Sequence, residues 1–161
     1  AAAIAEHISG SQEAFAELMN TEAKQLGATG THFVNPHGLH DENHYTTTYD
    51  LYLMFNEALK DQAFLDIISM NSYTAKVTSA DGTSYTPTWQ ATNYYSAGEA
   101  TPPDGIHVYG GKTGTTDQAG NCVILYEKNT AGEPYISVIM GASDKPLLYE
   151  EMNELLDAGM K

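Results

Sequence analysis

The chain has 161 residues, 42% of them apolar, and a net charge of −14 set by 21 acidic residues against seven lysines, with no arginine. That length supports one domain with a real core, and an acidic surface with so few cations excludes a nucleic-acid binder and gives no hold on an anionic membrane. No apolar run approaches the ~18 residues of a spanning helix, and Cys122 is the only cysteine, so no internal disulfide can form.

Residues 1–8 read as the end of a helix that stops near Gly10. The chain starts inside that pattern and without Met, so sequence upstream is expected. Ser11 is placed to cap a second helix, with Glu13 in its first turn. Phe15, Leu18, Met19, Ala23 and Leu26 recur at helical spacing and are expected to face the core, and Gly27 is the stop. Residues 28–46, with Gly30, Asn35-Pro36, Gly38 and Asp41, break every period and read as irregular. Thr47 or Thr48 caps a third helix to about Lys60, and a short fourth covers about 62–69.

Tyr73–Thr78 and Ser84–Trp89 flank Asp81-Gly82, a hairpin signal. Residues 96–105, with Pro102-Pro103-Asp104-Gly105, read as a loop. Strands are expected at about 107–113, 121–127 and 135–142, the last two joined as an antiparallel hairpin. Cys122–Tyr126 is almost continuously apolar, as in a central strand covered on both faces. Ser143 or Asp144 caps the final helix, where Pro146 is tolerated in the first turn and Leu148, Met152, Leu155 and Leu156 form the apolar face. Helices, then antiparallel strands, then a helix predict an α+β fold. It is read as a single partial domain over 1–161, mainly helical to residue 70, with hairpin, sheet and last helix from residue 71.

The segment richest in chemistry is Gly110-Gly111-Lys112-Thr113-Gly114-Thr115-Thr116, on the first strand of the sheet. Lys-Thr-Gly on a strand is one signature of the penicillin-interacting serine hydrolases; the others are a Ser-x-x-Lys nucleophile and a Ser-x-Asn triplet. None of the nine serines has Lys three residues later, so the chain carries one wall of such a site without its nucleophile. A surface lysine beside a strand-end glycine would give the same tripeptide, so the surrounding order of motifs has to decide.

That order is Phe15-x-x-x-Met19-Asn20-x-x-Ala23-x-x-Leu26-Gly27, Thr31-His32-Phe33-x-Asn35-Pro36-His37-Gly38-Leu39, His44-Tyr45-Thr46-Thr47-x-x-Asp50-Leu51, Thr92-Asn93, Gly111-Lys112-Thr113-Gly114, Ala119-Gly120-x-Cys122 and Ile136-Ser137-Val138. The set resembles the serine D-alanyl-D-alanine carboxypeptidases, low-molecular-mass penicillin-binding proteins that trim cell-wall stem peptides, over nearly the whole chain. The resemblance implies a partial DD-peptidase/β-lactamase-like fold, in which the nucleophile and Ser-x-Asn motifs precede the Phe15 helix. Ser9-Gly10-Ser11 then matches the start of that helix, and Ser69-Met70-Asn71 comes too late to be the triplet.

By the same resemblance Lys112 and Thr115 are the catalytic residues: Lys112 supplies positive charge, and the Thr115 N–H is half of an oxyanion hole whose other half comes from the absent serine. Thr113, Gly114 and Thr116 are substrate-binding. The family also places an Arg beyond this strand for the substrate's terminal carboxylate; here Leu148 or its neighbours stand near that place, and Lys145 is the candidate substitute. The partners implied are the D-Ala-D-Ala stem peptide, β-lactams in the intact parent, and either a second copy or the N-terminal segment of the same domain, since the strand at 135–142 would lose its neighbour and expose an apolar edge. The implied location is extracytoplasmic, in a bacterium.

Other readings are weighed beside this one: a non-catalytic cell-wall peptide-binding module, a fragment of a β-lactamase-related hydrolase, and a zinc D,D-peptidase. The last rests on His37, His40 and His44 with Asp41 and Glu42, where His40-x-x-x-His44 has a ligand-like gap. That gap serves best on a helix, and this stretch has no helical period, so no metal and no other cofactor is expected. Tyr94, Tyr95, Trp89 and Tyr109 are read as core or rim in preference to a peptide or glycan groove, and Cys122 as an inert buried thiol.

Overall fold

Most helix starts follow oxygen-bearing side chains. In the computed structural model, which describes residues 1–159, α1 (Ala2–Ser9) ends at Gly10 in the left-handed conformation. α2 (Gln12–Gln25) is capped by the Ser11 hydroxyl and α3 (Thr48–Ala58) by that of Thr47. Asp61 caps α4 (Gln62–Ile68). The last two residues of the expected 1–161 span lie outside the described residues.

The hairpin is interrupted rather than continuous. β1 (Ser72–Thr74) pairs with β4 (Thr88–Gln90), and β2 (Val77–Thr78) with β3 (Ser84–Tyr85). Pro87 stands in the gap; it offers only its carbonyl, which accepts from the Ala75 N–H at 3.1 Å, so the ladder lapses beside it. The expected loop at 96–105 begins as the last residues of a short helix, α5 (Tyr94–Ala97), capped by Asn93 and stopped at Gly98.

β5 (Ile106–Thr116), β6 (Gly120–Asn129) and β7 (Pro134–Ala142) form one antiparallel sheet in that order. α6 (Lys145–Gly159) follows, with the Leu147 N–H donating to Asp144 at 2.9 Å. β5 runs past Lys-Thr-Gly because Gly114↔Cys122, Thr115↔Asn121 and Thr116↔Gly120 all pair. Its register shifts between Val108 and Gly110. A Cβ on Gly110 would meet the Ile68 carbonyl, and one on Gly111 the Ile124 carbonyl. The two glycines therefore let β5 press against the end of α4 and against β6, and the bulge resets which side chains face which way.

α6 packs on one face of the sheet. Leu125 and Met152 are fully buried there, with Val123, Leu148, Tyr149 and Leu156 around them. Leu155, expected in this stripe, is 42% exposed; Tyr149 takes the buried place, because the stripe rotates toward the stacked ring of Tyr94, 4.5 Å away. The helical half is less well filled. In α2 only Ala16 and Ala23 are buried and Leu18 is exposed, while Phe15, Met19 and Leu26 line an open apolar groove of ≈ 400 Å³ with Phe33 and Met54.

Glu127 is buried beside the α6 core at 1% exposure. One carboxylate oxygen accepts from the Ser137 hydroxyl at 2.6 Å, and the other has no hydrogen-bond partner. Burial pushes its pKa up to about 7, against the lowering effect of the Ser137 bond.

Candidate active site

Alternation along β5 sorts the motif onto two faces. Thr113 pairs across with Val123 and Thr115 with Asn121, on the face that α6 covers; Lys112 pairs with Ile124 and Gly114 with Cys122, on the other. The outer edge of β5 has no strand partner among the described residues. Gly114 is exposed, and a Cβ there would meet nothing within 4 Å. The middle of the motif thus lies open along a strand edge, with backbone groups available to an extended peptide.

The α6 side of this edge holds a cavity of ≈ 180 Å³ lined by Thr92, Thr113, Thr115, Asn121, Lys145 and Leu148, among others. The Thr92 and Thr113 hydroxyls are 2.6 Å apart, and the Thr115 hydroxyl donates to Asn121 Oδ1 at 3.3 Å. On the opposite side Lys112 and Gly114 line a second cavity of ≈ 200 Å³ with Leu51, Ile124 and Val138, and the Lys112 ammonium donates to the Thr113 carbonyl. Lys112, Thr113, Gly114 and Thr115 therefore gather at one stretch of edge. Thr116 stands apart: its hydroxyl accepts from the Ala119 N–H at 3.0 Å and closes the β5–β6 turn.

The sequence pattern does not carry the link from Thr92 to Thr113, for which the Thr92-Asn93 dipeptide is the sole signal. Asn93 is 3% exposed and its Oδ1 accepts from the Tyr95 N–H at 3.1 Å, so the cap of α5 fixes where Thr92 stands. Leu148 is 2% exposed and belongs to the core, whereas Lys145 reaches the cavity. Cys122, expected to be buried, is half-buried and borders both cavities, because β6 ends beside the open edge. Trp89 is 53% exposed and stacks on Tyr73, a rim position; Tyr94 and Tyr95 pack against the core.

The motif residues of the helical half hold a loop in place. Asn20 donates to the Phe33 carbonyl at 2.8 Å and accepts from the Phe33 N–H at 2.7 Å. Buried Asp50 accepts from Thr31 at 2.7 Å. Asn35 Oδ1 accepts from the Gly38 N–H at 2.7 Å. His44 Nδ1 accepts from the Val34 N–H at 3.1 Å; burial pulls its pKa below the usual histidine value, with Asp41 opposing. His37 Nδ1 accepts from the Leu39 N–H at 3.2 Å, and His40 is exposed. Among the described residues no three His, Cys, Asp or Glu side chains converge as a metal site.

An antiparallel sheet with helices on its faces and Lys-Thr-Gly on its open edge is the arrangement of the serine DD-peptidase and β-lactamase-like fold. The DD-transpeptidase of Streptomyces K15 superposes with a TM-score of 0.81 at 26% identity, over 91% of this chain and 54% of that one. The pattern of the D-alanyl-D-alanine carboxypeptidase family matches residues 1–144, and the chain belongs to that family. The D-alanyl-D-alanine carboxypeptidase DacF of Bacillus subtilis is 31% identical over 155 residues, 96% of this chain and 37% of the relative. DacA of Haemophilus influenzae is 31% identical over 159 residues, with 98% and 37% covered. The chain thus spans little more than a third of these relatives' length.

Proposed function

We propose that this chain is the C-terminal part of the catalytic domain of a serine D-Ala-D-Ala carboxypeptidase, and that it supplies the substrate-binding wall while a serine outside it attacks. The observation that carries this reading is the open β5 edge, with Lys112, Gly114 and Thr115 beside empty space. A stem peptide lies along that edge as an added strand. The serine oxygen bonds to the carbonyl carbon of the penultimate D-Ala, the C–N bond breaks, and the terminal D-Ala leaves with the proton; water then releases the acyl group.

In this reading the Thr115 N–H steadies the oxyanion. Lys112 sets the potential around the serine, Thr113 hydrogen-bonds the peptide, and Gly114 lets its backbone approach. Thr116 contributes by shaping the turn that ends the edge. β-Lactams acylate the same serine. The enzyme works outside the cytoplasmic membrane, where its substrate is, and the residues here fold as part of one domain with the upstream segment.

The test is acylation of the full-length protein by a fluorescent penicillin. The expected result is a stoichiometric adduct on a serine upstream of Ala1, lost by ~100-fold or more in rate in Lys112→Ala, with no adduct on the isolated chain. A stable adduct on the isolated chain, or none on the full-length protein, would overturn the proposal.

A further inference from the structure

We infer that the exposed pair Tyr73 and Trp89 is a platform for a neutral sugar ring, and that it holds the glycan to which the stem peptides are attached. The second half rests on the function proposed above, which makes a peptide-bearing glycan the polymer this surface meets.

Tyr73 and Trp89 stand directly opposite each other in the β1–β4 ladder, so their side chains leave the same face. Their ring centres are 6.4 Å apart with 13° between planes, yet the two residues stay 55% and 53% exposed. Tyr94 and Tyr149 show the other fate of a ring pair in this chain, since they stack against the core. Ile67 and Met70, also exposed, extend the outer pair into one patch. Together with Ser72 and Gln90 they border an open pocket of ≈ 650 Å³, a size typical of small-ligand sites. An apolar patch of this kind marks a binding surface.

The lining selects the ligand. In a chain of net charge −14, no charged residue borders this pocket, so it has no hold on a phosphate, a carboxylate or an ammonium. The acidic surroundings repel an anionic lipid surface. What the pair offers is flat apolar faces, each edged by one polar group, the Tyr73 hydroxyl and the Trp89 indole N–H. A pyranose ring has the matching form: a face of C–H bonds, rimmed by neutral hydroxyls and, in an N-acetylhexosamine, by an amide. The position fits as well. Ala91 borders the same pocket, and its N–H donates to the Asn71 carbonyl at 2.8 Å. The next residue, Thr92, has its hydroxyl 2.6 Å from that of Thr113. From Trp89 to Thr92 is at most ~11 Å of chain. An extended stem peptide of several residues covers that span, so a glycan on the platform keeps its peptides within reach of the β5 edge.

The probe is the β-1,4-linked tetramer of N-acetylglucosamine, titrated into the full-length protein by calorimetry. Binding is expected with a Kd on the order of 1 mM. It should weaken about tenfold or more in Trp89→Ala and in Tyr73→Ala, be largely kept in Trp89→Phe, which retains a ring, and stay unchanged between ~0.05 and ~0.5 M salt, since no charge takes part. Trp89→Ala should also raise KM severalfold for a glycan-linked stem peptide, while leaving KM for a free acetylated D-Ala-D-Ala tripeptide and the rate of penicillin acylation as they were. No saturable binding of the tetramer, or equal binding by Trp89→Ala, would overturn the assignment. So would a Trp89 shielded from hydroxyl-radical oxidation in the full-length protein without sugar, which would give the patch to another part of the chain. Binding to phosphatidylcholine vesicles that Trp89→Ala abolishes, with no binding of the tetramer, would overturn it in favour of a membrane contact. A wild type that binds the tetramer but takes neither penicillin nor peptide would leave the sugar platform standing and overturn the proposed function, and the link to stem peptides with it.

Discussion

On the α6 face of the sheet Val123, Leu125, Leu148, Met152 and Leu156 are at most 3% exposed. On the other face Ile124, Val138 and Met140 line an open cavity to which the helices contribute only Leu51. Yet β6 is as apolar toward the second face as toward the first, as expected of a strand meant to be covered twice. This less filled face, where α3 still meets β7, is also the one that Lys112 and Gly114 use. The difference teaches that the less filled face is also the one beside the motif, so on the function proposed above the segment that supplies the nucleophile is placed to close this face.

The largest effect follows from that gap. β7 pairs with β6 on one side and with no strand among the described residues on the other, so it presents an edge that another strand can extend. The isolated chain is predicted to self-associate at micromolar concentration, equivalent to about 8 kcal/mol, and to stop doing so when the upstream segment is supplied. Sedimentation over a concentration series checks this. A cooperative monomer at every concentration would mean that the two faces are not unequal in solution.

Deleting the same kind of side chain on each face is the next measure. Leu125→Ala should lose about 3–5 kcal/mol in urea melts, because a fully buried leucine leaves a cavity among fixed neighbours. Val138→Ala, on the open face, should lose only about 1 kcal/mol. Equal losses would erase the contrast.

Glu127 is the exception within the better-packed face. Its pKa is raised to about 7 from 4.5, so the folded state holds a proton that the unfolded state releases. Stability therefore falls as pH rises from about 4.5 to about 7, by roughly 3 kcal/mol in all, and is level above that. Glu127→Gln should flatten this slope and stabilise the chain at pH 8 by roughly that amount, with little effect at pH 4.5. Denaturant midpoints of both forms at the two pH values decide it; a wild type whose stability does not change across this window would show that the carboxylate is solvated.

What could be read in the sequence was what is local. The caps at Ser11 and Thr47, the stops at Gly10 and Gly27, and the Lys112-Thr113-Gly114 strand depend on a few adjacent residues, and they appear where spacing put them. The bulge at Gly110, the proline break in the hairpin and the burial of Glu127 depend on register across strands, which a linear pattern does not carry. Leu18 and Leu155 fall inside by periodicity yet are exposed, because periodicity marks a stripe, not its edges. The edge that Lys112 and Thr115 occupy was legible as a motif, but not its division into two cavities, because that division follows from the alternation set by the bulge.

Thr92 tests the finest difference between the faces. Its hydroxyl lies 2.6 Å from that of Thr113, both at the rim of the α6-side cavity, and Thr92 is exposed. Water replaces most of such a bond when it is removed, so Thr92→Val should cost only about 0.5 kcal/mol of stability. Thr113 would lose the partner that orients its hydroxyl, so binding should suffer more than folding. The expected outcome in the full-length protein is a two- to threefold rise in KM for a D-Ala-D-Ala peptide, equivalent to ~0.5 kcal/mol, with kcat unchanged. A loss of stability above ~1.5 kcal/mol would instead make Thr92 part of the packed face. An unchanged KM would mean that the Thr113 hydroxyl is set by the strand alone.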